Sequence, residues 1–335
     1  SRNRSSHVVE GKSVSSVKVT IVRSRAIDPA VKKVARTLAK SGYAVELLAW
    51  SREGGGEKSG EDTFYSTRAF NLRAPYYKPQ LIFYIPVWWT YEFVILLRTR
   101  ANVIHACDLD TLIPAIMAKV IKRTKLCYTI YDFYADNLPR QVPSGLRRLV
   151  SFTEKSCIRF VDALFLVDES RYEQVRGAKI KRVEYLYNSP EDFFSADTQS
   201  QNTDLLLFYA GYLDKSRGLE EMIKAVGDLD GVRLTIAGTG PVEPMVREYS
   251  GKLNNVQYIG QIPYEEVIRR SQQADILFAF YDLKIPNNRY ASPNNLFEAM
   301  MCAKPIIVNE GTTASKIVKE EECGLAVPYG DVGMI

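Results

Sequence analysis

Short apolar segments alternate with longer amphipathic segments along most of this chain, and the alternation occurs in two successive series. In the first series the segments with strand-like composition are residues 17–23, 44–50, 103–107, 126–131, 163–167 and 183–187. Amphipathic segments of helical length, such as residues 30–40 and 111–122, separate most of them. Because parallel neighbouring strands need a crossover connection, this alternation predicts parallel sheets that carry helices on both faces.

The alternation is interrupted once, by a polar segment that we interpret as a linker at residues 189–203. It restarts with strand-like segments at residues 205–210, 232–237, 256–259, 276–280 and 305–308, and helices are expected at residues 219–229, 242–250, 264–273 and 293–302. A chain of 335 residues has room for two domains. We therefore predict an α/β protein with two Rossmann-like doubly wound domains.

The predicted domain organisation follows from that interruption. Residues 1–16 form a flexible polar tail, residues 17–188 an N-terminal Rossmann-like domain and residues 204–335 a C-terminal one. We expect the C-terminal domain to be truncated, because its strand-like segment at residues 325–328 is not followed by a closing helix. Ligands of doubly wound folds bind beyond the carboxyl ends of the strands, so the expected site is the cleft between the domains.

Composition and charge exclude several classes of function. The net charge of +5 is too small to indicate nucleic acid binding, although it favours phosphates or an anionic membrane. The five cysteines are widely spaced without a CxxC motif, which disfavours a zinc site or a disulfide framework and is typical of a cytoplasmic protein. His7 lies in the polar tail, so only His105 is expected in folded structure. We therefore expect no metal and no other cofactor.

The segment Leu81–Leu97 is nearly continuous in apolar and aromatic residues. Two interpretations of it stay open. It forms a buried helix of the first domain, or it forms an aromatic surface that makes peripheral contact with a membrane or holds a lipid-linked acceptor. A transmembrane span is the weakest interpretation, because a span needs about 20 apolar residues and this segment contains Pro86 and Glu92.

The start of one predicted helix suits a phosphate group. Ser292 is predicted to be the N-cap of that helix, with Pro293 in its first turn. Free backbone N–H groups and the positive end of the helix dipole would bind a diphosphate there, and the Glu298 carboxylate could accept hydrogen bonds from ribose hydroxyls. The alternative is an ordinary capped helix on which Glu298 faces solvent.

Two loops of the C-terminal domain carry further phosphate signals. Lys215 and Arg217 follow the strand at residues 205–210, where their cationic groups suit a phosphate; the alternative is a solvated basic turn. Gly238 and Gly240 follow the next strand, in a tight turn that would let a ligand approach the backbone. A single GxG is weak evidence by itself.

Polar residues also follow two strands of the N-terminal domain. His105 and Asp108 lie at the end of one strand, and both are expected to face the cleft. Asp132 and Tyr134 follow the next strand, where a carboxylate could bind acceptor hydroxyls. The alternatives are a structural histidine and an aspartate that caps a helix.

Five segments, taken together and in this order and spacing, resemble the retaining family-four glycosyltransferases of the GT-B fold. They read VIHACDLDTLIPA, YTIYDFYADNLP, YAGYLDKSRGLEEMIKAV, LTIAGTGP and SPNNLFEAMMCAKPIIV, and the resemblance runs from about residue 17 to residue 330. It implies that the second domain binds a nucleotide diphosphate sugar, such as a UDP- or GDP-sugar. It also implies that a glycan or lipid-linked acceptor lies against the first domain.

The resemblance implies roles for individual residues. Arg217 matches the lysine that binds the diphosphate, Glu298 the second glutamate of the E-x7-E motif that holds the ribose, and His105 the histidine that contacts the sugar. With the loops above, the predicted donor-binding residues are Gly211, Tyr212, Lys215, Arg217, Gly238, Gly240, Asn294, Asn295, Leu296 and Glu298. The catalytic candidates are His105, Asp108 and Arg217, and the acceptor-binding candidates are Asp132 and Tyr134.

The sequence departs from the family pattern at three places. Tyr290 occupies the position of the first glutamate of E-x7-E, which normally touches the transferred sugar. Tyr212 replaces the arginine that normally precedes the phosphate-binding lysine, a charge that Lys215 or Arg289 could supply, and residues 23–29 lack the usual glycine pair. We interpret the chain as a divergent enzyme. A catalytically inactive nucleotide-sugar-binding or scaffold protein and a sugar-nucleotide epimerase of the same fold stay open as alternatives.

Overall fold

The computed structural model describes residues 17–25, 28–52, 60–61, 64–75, 79–138, 142–193 and 204–335. The predicted tail and most of the predicted linker at residues 189–203 lie outside the described residues, so both stay predictions. By contacts between residues, the chain divides into two compact units, Ser1–Cys127 and Tyr128–Ile335. This division falls within a strand of the first sheet, Lys125–Ile130.

The first sheet has eight strands, in the order β3-β4-β2-β1-β5-β6-β7-β8. They are β1 (Lys18–Arg23), β2 (Ala44–Ser51), β3 (Gly60–Glu61), β4 (Ser66–Asn71), β5 (Val103–Cys107), β6 (Lys125–Ile130), β7 (Ala163–Leu166) and β8 (Val183–Tyr185). The central strands β2, β1 and β5 pair in parallel, whereas the edge pair β3–β4 is antiparallel. Central strands such as β1 and β2 are buried along most of their length, as expected for a sheet covered on both faces.

Six of these strands match segments predicted from the sequence, with ends that differ by at most two residues. Strands β3 and β4 are additional. The sequence of β4, STRAFN, mixes polar and apolar residues, and its side chains are exposed or half-buried. Its apolar content is too low to give the pattern of a buried strand.

In the described part of the chain, six α-helices accompany this sheet. They are α1 (Pro29–Lys40), α2 (Ile85–Arg98), α3 (Leu109–Lys122), α4 (Tyr134–Asn137), α5 (Ser144–Ile158) and α6 (Tyr172–Val175). Helix α1 begins where the Asp28 side chain accepts hydrogen bonds from the amides of Ala30 and Val31. This is an N-cap in which one carboxylate binds amides that lack a partner within the helix.

The second sheet has six strands, in the order β11-β10-β9-β12-β13-β14, and each neighbouring pair is parallel. They are β9 (Leu205–Tyr212), β10 (Val232–Thr239), β11 (Val256–Tyr258), β12 (Ile276–Ala279), β13 (Ile306–Asn309) and β14 (Gly324–Val327). The helices are α7 (Leu219–Gly227), α8 (Glu243–Lys252), α9 (Tyr264–Gln273), α10 (Asn294–Met301) and α11 (Thr313–Glu320). The strand order reverses between β9 and β12, and such a switch point is where doubly wound folds bind ligands.

Helices cover both faces of this second sheet. One buried cluster joins Met222 of α7 and Val246 of α8 to the sheet, and another joins Leu296 of α10 and Val318 of α11 to it. An apolar core on each face is the packing expected of parallel strands. The predicted doubly wound architecture is therefore confirmed.

The apolar segment Leu81–Leu97 forms a short 3-10 helix, Pro79–Phe83, followed by α2. Trp88 is fully buried and stacks on Trp50 with ring centroids 5.6 Å apart. Glu92 and Leu96 lie on the same buried face of α2. The buried-helix interpretation is therefore confirmed for this face, and Trp88 is not a surface residue.

The opposite side of this segment is exposed. Ile82, Phe83 and Val87 are 69%, 77% and 50% accessible. Among the described residues, no helix combines the length and apolar composition that a membrane crossing requires. The apolar surface of this segment is thus limited to the approach to α2 and its first turn.

Candidate functional site

The turn after β9 places two cations at the switch point of the second sheet. Lys215 and Arg217 lie in a 3-10 helix whose start is capped by Asp214, because its carboxylate accepts hydrogen bonds from the Ser216 amide (2.9 Å) and hydroxyl (2.7 Å). Gly218 then adopts φ +60°, and a Cβ there would lie 2.5 Å from Phe280 Cδ2. Glycine is therefore required for both the turn and the close packing.

Arg217 stacks its guanidinium on an aromatic ring. The Cζ atom of this half-buried side chain lies 4.0 Å from the ring centroid of Tyr281, which follows β12. Its Nη1 is buried and finds no hydrogen-bond partner among the described residues. A buried N–H without a partner costs about 1–3 kcal/mol, more in a charged group, so this atom is suited to bind an anion.

The glycines of the Gly238–Gly240 turn serve the protein's own backbone. Gly238 has φ +127°, and a Cβ on it would lie 1.8 Å from the Gly211 carbonyl oxygen. A Cβ on Gly240 would lie 2.3 Å from the Leu213 carbonyl oxygen. These glycines therefore let the turns after β9 and β10 touch. This contact is enough to explain them without the predicted approach of a ligand.

Helix α10 begins at Asn294, one residue later than predicted, with Pro293 at the N-cap position. The predicted Ser292 N-cap is wrong, because Pro293 is extended (φ −71°, ψ 145°) and separates Ser292 from the helix. Ser292 is buried, and its hydroxyl has no hydrogen-bond partner among the described residues. Asn295 fixes the helix start to β9 by donating from Nδ2 to the Ala210 carbonyl at 3.0 Å.

The amide of Leu296 is already used at this helix start. It donates to the Pro293 carbonyl oxygen at 3.1 Å, and the Leu296 side chain is fully buried. A predicted phosphate contact by this amide would have to share that hydrogen. The amides of the two preceding positions in a helix have no acceptor within the helix itself, which favours Asn294 and Asn295 for such a contact.

Glu298 is buried within the second sheet's unit rather than exposed. Its side chain is 5% accessible, so the alternative in which it faces solvent is wrong. Burial raises the pKa of the Tyr264 hydroxyl at the start of α9, and the nearby Glu298 carboxylate raises it further. The same two causes raise the pKa of the Cys302 thiol to about 11. The carboxylate thus lies between α9 and α10.

Three remaining donor candidates are more open. Gly211, Tyr212 and Lys215 are exposed at the carboxyl end of β9 and in the turn after it. The Tyr212 carbonyl accepts a hydrogen bond from the Tyr209 hydroxyl at 3.1 Å, and the Lys215 carbonyl accepts one from Tyr329 at 3.3 Å. The backbone of this turn is therefore fixed while the Lys215 side chain reaches solvent.

Asp132 belongs to a polar network that the sequence did not indicate. Its carboxylate accepts a hydrogen bond from Asn287 Nδ2 at 2.7 Å and lies 3.7 Å from Arg171 Nη2. Arg171 in turn donates to Asn287 Oδ1 and to Gln174 Oε1, both at 3.0 Å. Asp136 accepts from Gln174 Nε2 at 2.7 Å. One unit thus brings residues that follow β6 and β7 against the 3-10 helix Pro286–Tyr290.

The helix-capping alternative for Asp132 is wrong, because the N-cap position of α4 is Phe133. Tyr134, the other acceptor candidate, is half-buried and donates its amide to the Glu154 carboxylate at 3.1 Å. Tyr128 donates its hydroxyl to the same carboxylate at 2.7 Å. The acceptor-binding roles of Asp132 and Tyr134 stay predictions.

In the first unit, His105 lies within β5 and pairs in register with Ile21 of β1. The side chain is buried, and burial lowers its pKa to about 4. The imidazole is therefore neutral at physiological pH, when one ring nitrogen can donate and the other can accept a hydrogen bond. This state suits contact with a sugar hydroxyl, the role that the resemblance implies.

Asp108, the second catalytic candidate of this unit, is held in an ion pair. Its carboxylate binds Arg23 Nη1, and Arg23 Nε donates to the Asp28 carboxylate at 2.8 Å. Asp108 also has φ 64° and ψ 166°, a region that almost only glycine occupies. Its predicted catalytic role stays a prediction, and Arg23 is a partner that the sequence did not indicate.

The neighbouring residue Asp110 anchors α2. Trp88 and Trp89 both donate their indole N–H to the Asp110 carbonyl, at 3.2 and 3.0 Å. Its carboxylate accepts a hydrogen bond from Ser24 and lies 3.6 Å from Arg52 Nη2. Across the described part of the chain, no group of three or more His, Cys, Asp or Glu side chains is arranged to hold a metal ion.

Two family profiles match adjacent parts of the sequence. The profile described as "Glycosyl transferase 4-like domain" matches residues 26–190, and "Glycosyl transferases group 1" matches residues 190–335. Among curated protein sequences, no relative matches this chain.

Solved structures of the same fold cover nearly the whole chain. Sucrose-phosphate synthase from Thermosynechococcus elongatus is 16% identical with a TM-score of 0.75, over 95% of this chain and 87% of its own. HepE from Anabaena, solved with UDP and glucose, is 13% identical with a TM-score of 0.66, over 95% and 87%. A galactosyltransferase of the lipopolysaccharide outer core is 14% identical with a TM-score of 0.62, over the same shares.

At such low identities these structures establish the GT-B fold alone. The two profiles together span residues 26–335, and the two doubly wound sheets are those of the fold. The chain belongs to the group 1 glycosyltransferases and is an enzyme that transfers glycosyl groups.

Proposed function

We propose that this enzyme moves a sugar, with retention of configuration, from a nucleotide diphosphate sugar to a glycan or lipid-linked acceptor. The products would be surface polysaccharide, glycolipid or glycoprotein glycans. The observation that carries the donor assignment is the buried Nη1 of Arg217, which lacks a partner among the described residues at the switch point of the second sheet. HepE of the same fold was solved with UDP and with UDP-glucose, which supports a UDP-sugar; a GDP-sugar is the alternative.

The donor would use the two sides of this switch point. Arg217 offers a planar group with several donors for the diphosphate, and Lys215 adds an exposed point charge. The first amides of α10 and its dipole would face the same phosphates. Glu298 would accept hydrogen bonds from the ribose hydroxyls. Arg217, Lys215 and the start of α10 would supply positive charge for the diphosphate without a metal ion.

The proposed transfer needs little covalent help from the protein. The bond between the anomeric carbon and the diphosphate oxygen breaks, and its electrons stay on the nucleotide diphosphate. The acceptor oxygen attacks on the same face, and the leaving phosphate oxygen takes its proton. Charge therefore grows on the diphosphate, where Arg217 and the α10 amides would stabilise it. This step requires no second carboxylate, so it is compatible with Tyr290 in place of a glutamate.

Neutral His105 would contribute a hydrogen bond to the transferred sugar rather than a proton. Asp132 and Tyr134 would bind the acceptor. For a lipid-linked acceptor we expect a cytoplasmic enzyme that contacts the inner face of the membrane peripherally. Within the segment Leu81–Leu97, the side chains that could take part in such contact are the exposed Ile82, Phe83 and Val87 and not the buried Trp88, and vesicle binding by their variants tests whether they do.

A thermal-shift screen of UDP- and GDP-sugars tests the donor assignment. A ligand that binds only the native state raises its apparent stability, by about 2.7 kcal/mol at a concentration 100 times Kd. We expect one class of nucleotide sugar to shift the wild type and not Glu298→Ala. A Glu298→Ala variant that binds the donor as well as the wild type would refute the ribose assignment.

Product analysis separates the alternatives. An inactive binding protein, which the loss at Tyr290 favours, would be stabilised by the donor but release no nucleotide diphosphate above background. An epimerase would change the sugar's configuration without any acceptor, which NMR detects. For the proposed enzyme, NMR should show the same anomeric configuration in donor and product, and an inverted product would contradict retention.

A further inference from the structure

Helix α5 exposes an apolar stripe to solvent. Leu146, Leu149 and Phe152 are 49%, 58% and 69% accessible, and their spacing of three residues places them along one side of the helix. The opposite side of α5 is anchored in the fold by the buried Glu154 and Ile158. A stripe of large exposed apolar side chains on one helix is a feature of docking surfaces.

A basic groove runs beside this stripe. It has a volume of about 620 Å³ and is lined by α4, by α5 and by residues after α6. Among the described residues, the cationic lining residues are Arg147, Arg148, Lys155, Arg159, Arg176 and Lys179, and the acidic one is Asp136. In a chain whose net charge is only +5, this is a strong local concentration of positive charge.

The groove and the stripe share residues. Phe152 of the stripe also lines the groove, together with Ser151, Lys155 and Ser156 of the same helix. Arg147 is half-buried and donates to the Ala135 and Leu138 carbonyls at 2.7 and 3.2 Å, which fixes the start of α5. Lys155 donates to the Arg176 carbonyl at 3.1 Å, which joins α5 to the residues after α6 on the other side of the groove. Arg148 and Arg159 are exposed beside the stripe.

We propose that α5 and this basic groove, here called the α5 surface, bind a membrane that contains anionic phospholipids. The helix would lie in the interface plane, with Leu149 and Phe152 in the boundary of the acyl chains. The cations beside them would meet the lipid phosphates. A soluble phosphate explains the groove but not the apolar stripe, and a purely apolar partner explains the stripe but not the cations.

This proposal deepens the proposed function, since it relies on a membrane-linked acceptor and names the surface that reaches it. It differs from contact through Ile82, Phe83 and Val87, which lie on another segment of the chain. The two surfaces can therefore be compared directly by mutation.

Vesicle co-sedimentation of the full chain tests the proposal. We expect binding to phosphatidylglycerol–phosphatidylcholine vesicles, weaker binding at high salt, and little binding to phosphatidylcholine alone. Leu149→Ser with Phe152→Ser should weaken binding about tenfold or more, because it removes the apolar contact with the acyl chains. Arg148→Glu with Arg159→Glu should weaken it to a similar extent, because it replaces attraction to the anionic headgroups with repulsion.

Two matched variants serve as controls. Ile82→Ser with Phe83→Ser removes exposed apolar side chains elsewhere, and Lys224→Glu with Lys252→Glu changes the net charge equally on α7 and α8. Both should bind vesicles like the wild type. If the Ile82 and Phe83 variant loses binding and the α5 variants keep it, the α5 surface is not the membrane surface.

Other occupants would overturn the proposal as well. If inorganic pyrophosphate stabilises the wild type but not the Arg148 and Arg159 variant, and vesicles do not bind, the groove takes a soluble phosphate. If vesicles do not bind and the Leu149 and Phe152 variant converts a dimer to a monomer, the stripe is a contact between copies. Nucleotide-sugar binding, measured without vesicles, should be unchanged in every α5 variant. A wild type that binds no nucleotide sugar would therefore contradict the donor assignment and not the membrane proposal.

Discussion

In the 3-10 helix before α7, the Arg217 guanidinium is held in place by its packing. Tyr281 supports its flat face, and Gly218 sets the turn that carries it. Asp214 is used to cap the turn, because it binds Ser216. The positive charge is thus oriented before any ligand arrives, which reduces the entropy lost on binding.

Arg217→Ala should weaken nucleotide-sugar binding about 10- to 100-fold, because a hydrogen bond to a charged group contributes roughly 1.5–3 kcal/mol. Arg217→Lys should retain part of the affinity, since it keeps the charge without the planar group. Isothermal titration measures both. Arg233→Ala, which removes an exposed cation paired with Asp204, is the control and should bind normally. Equal affinity of Arg217→Ala and wild type would contradict the assignment.

His105 should make stability depend on pH. Its pKa falls from 6.5 to about 4 on folding, so the unfolded chain takes up a proton that the folded chain excludes. Stability from this residue is therefore present above pH 6.5 and lost as pH falls toward 4, by about 3 kcal/mol in total. Urea unfolding should show this extra loss in the wild type and not in His105→Gln. The same loss in both proteins would contradict it.

Sequence reasoning located residues whose position in the chain determines their place in the fold. Arg217 follows a predicted strand, His105 lies within one and Glu298 lies on a predicted helix, so the elements that carry them were foreseeable. Arg23, Arg171, Asn287 and Tyr281 were missed. Their importance depends on partners far away in sequence, and a single sequence without pairing information does not indicate such partners.

Among the elements, long apolar strands were predictable to within two residues because both faces of a parallel sheet are buried. Errors arose where another constraint decided. Polar residues concealed the edge strand β4, and the extended Pro293 moved the start of α10 past Ser292. Helix α5 was not among the helices named from the sequence.

Trp88 on α2 gives a prediction at this scale. Trp88→Ala should destabilise the protein by about 3–5 kcal/mol, because it leaves a cavity beside Trp50 and removes the bond to the Asp110 carbonyl. Val87→Ser, on the exposed side of the same helix, should change stability by less than about 0.5 kcal/mol. Chemical denaturation of both variants provides the comparison, and a mild Trp88→Ala effect would show that α2 is not a core element.

At the scale of the whole molecule, the unit Tyr128–Ile335 contains the second sheet and the segments that follow β6 and β7. The network of Asp132, Arg171 and Asn287 contributes to this grouping, since it joins residues more than 100 positions apart. Arg171 is buried at its centre. A buried cation without partners is strongly destabilising, so the network should behave as one cooperative group.

A double-mutant cycle on Asp132→Ala and Asn287→Ala tests that cooperativity. We expect a coupling of about 0.5–3 kcal/mol in the free energy of unfolding, because both residues bind Arg171. Asp132→Ala combined with Lys252→Ala, an exposed residue of α8, should be additive. Additive effects for the first pair would show that the contacts contribute separately.

The backbone at Asp108 has a consequence for how this position can vary. Its φ of 64° and ψ of 166° favour glycine, whereas its ion pair with Arg23 requires a carboxylate. The strain costs about 1–3 kcal/mol, whereas removing a partner of the buried Arg23 costs up to about 3–5 kcal/mol. A library randomised at position 108 and selected for thermal resistance should therefore return aspartate rather than glycine. Recovery of mostly glycine would show that the backbone strain outweighs the ion pair.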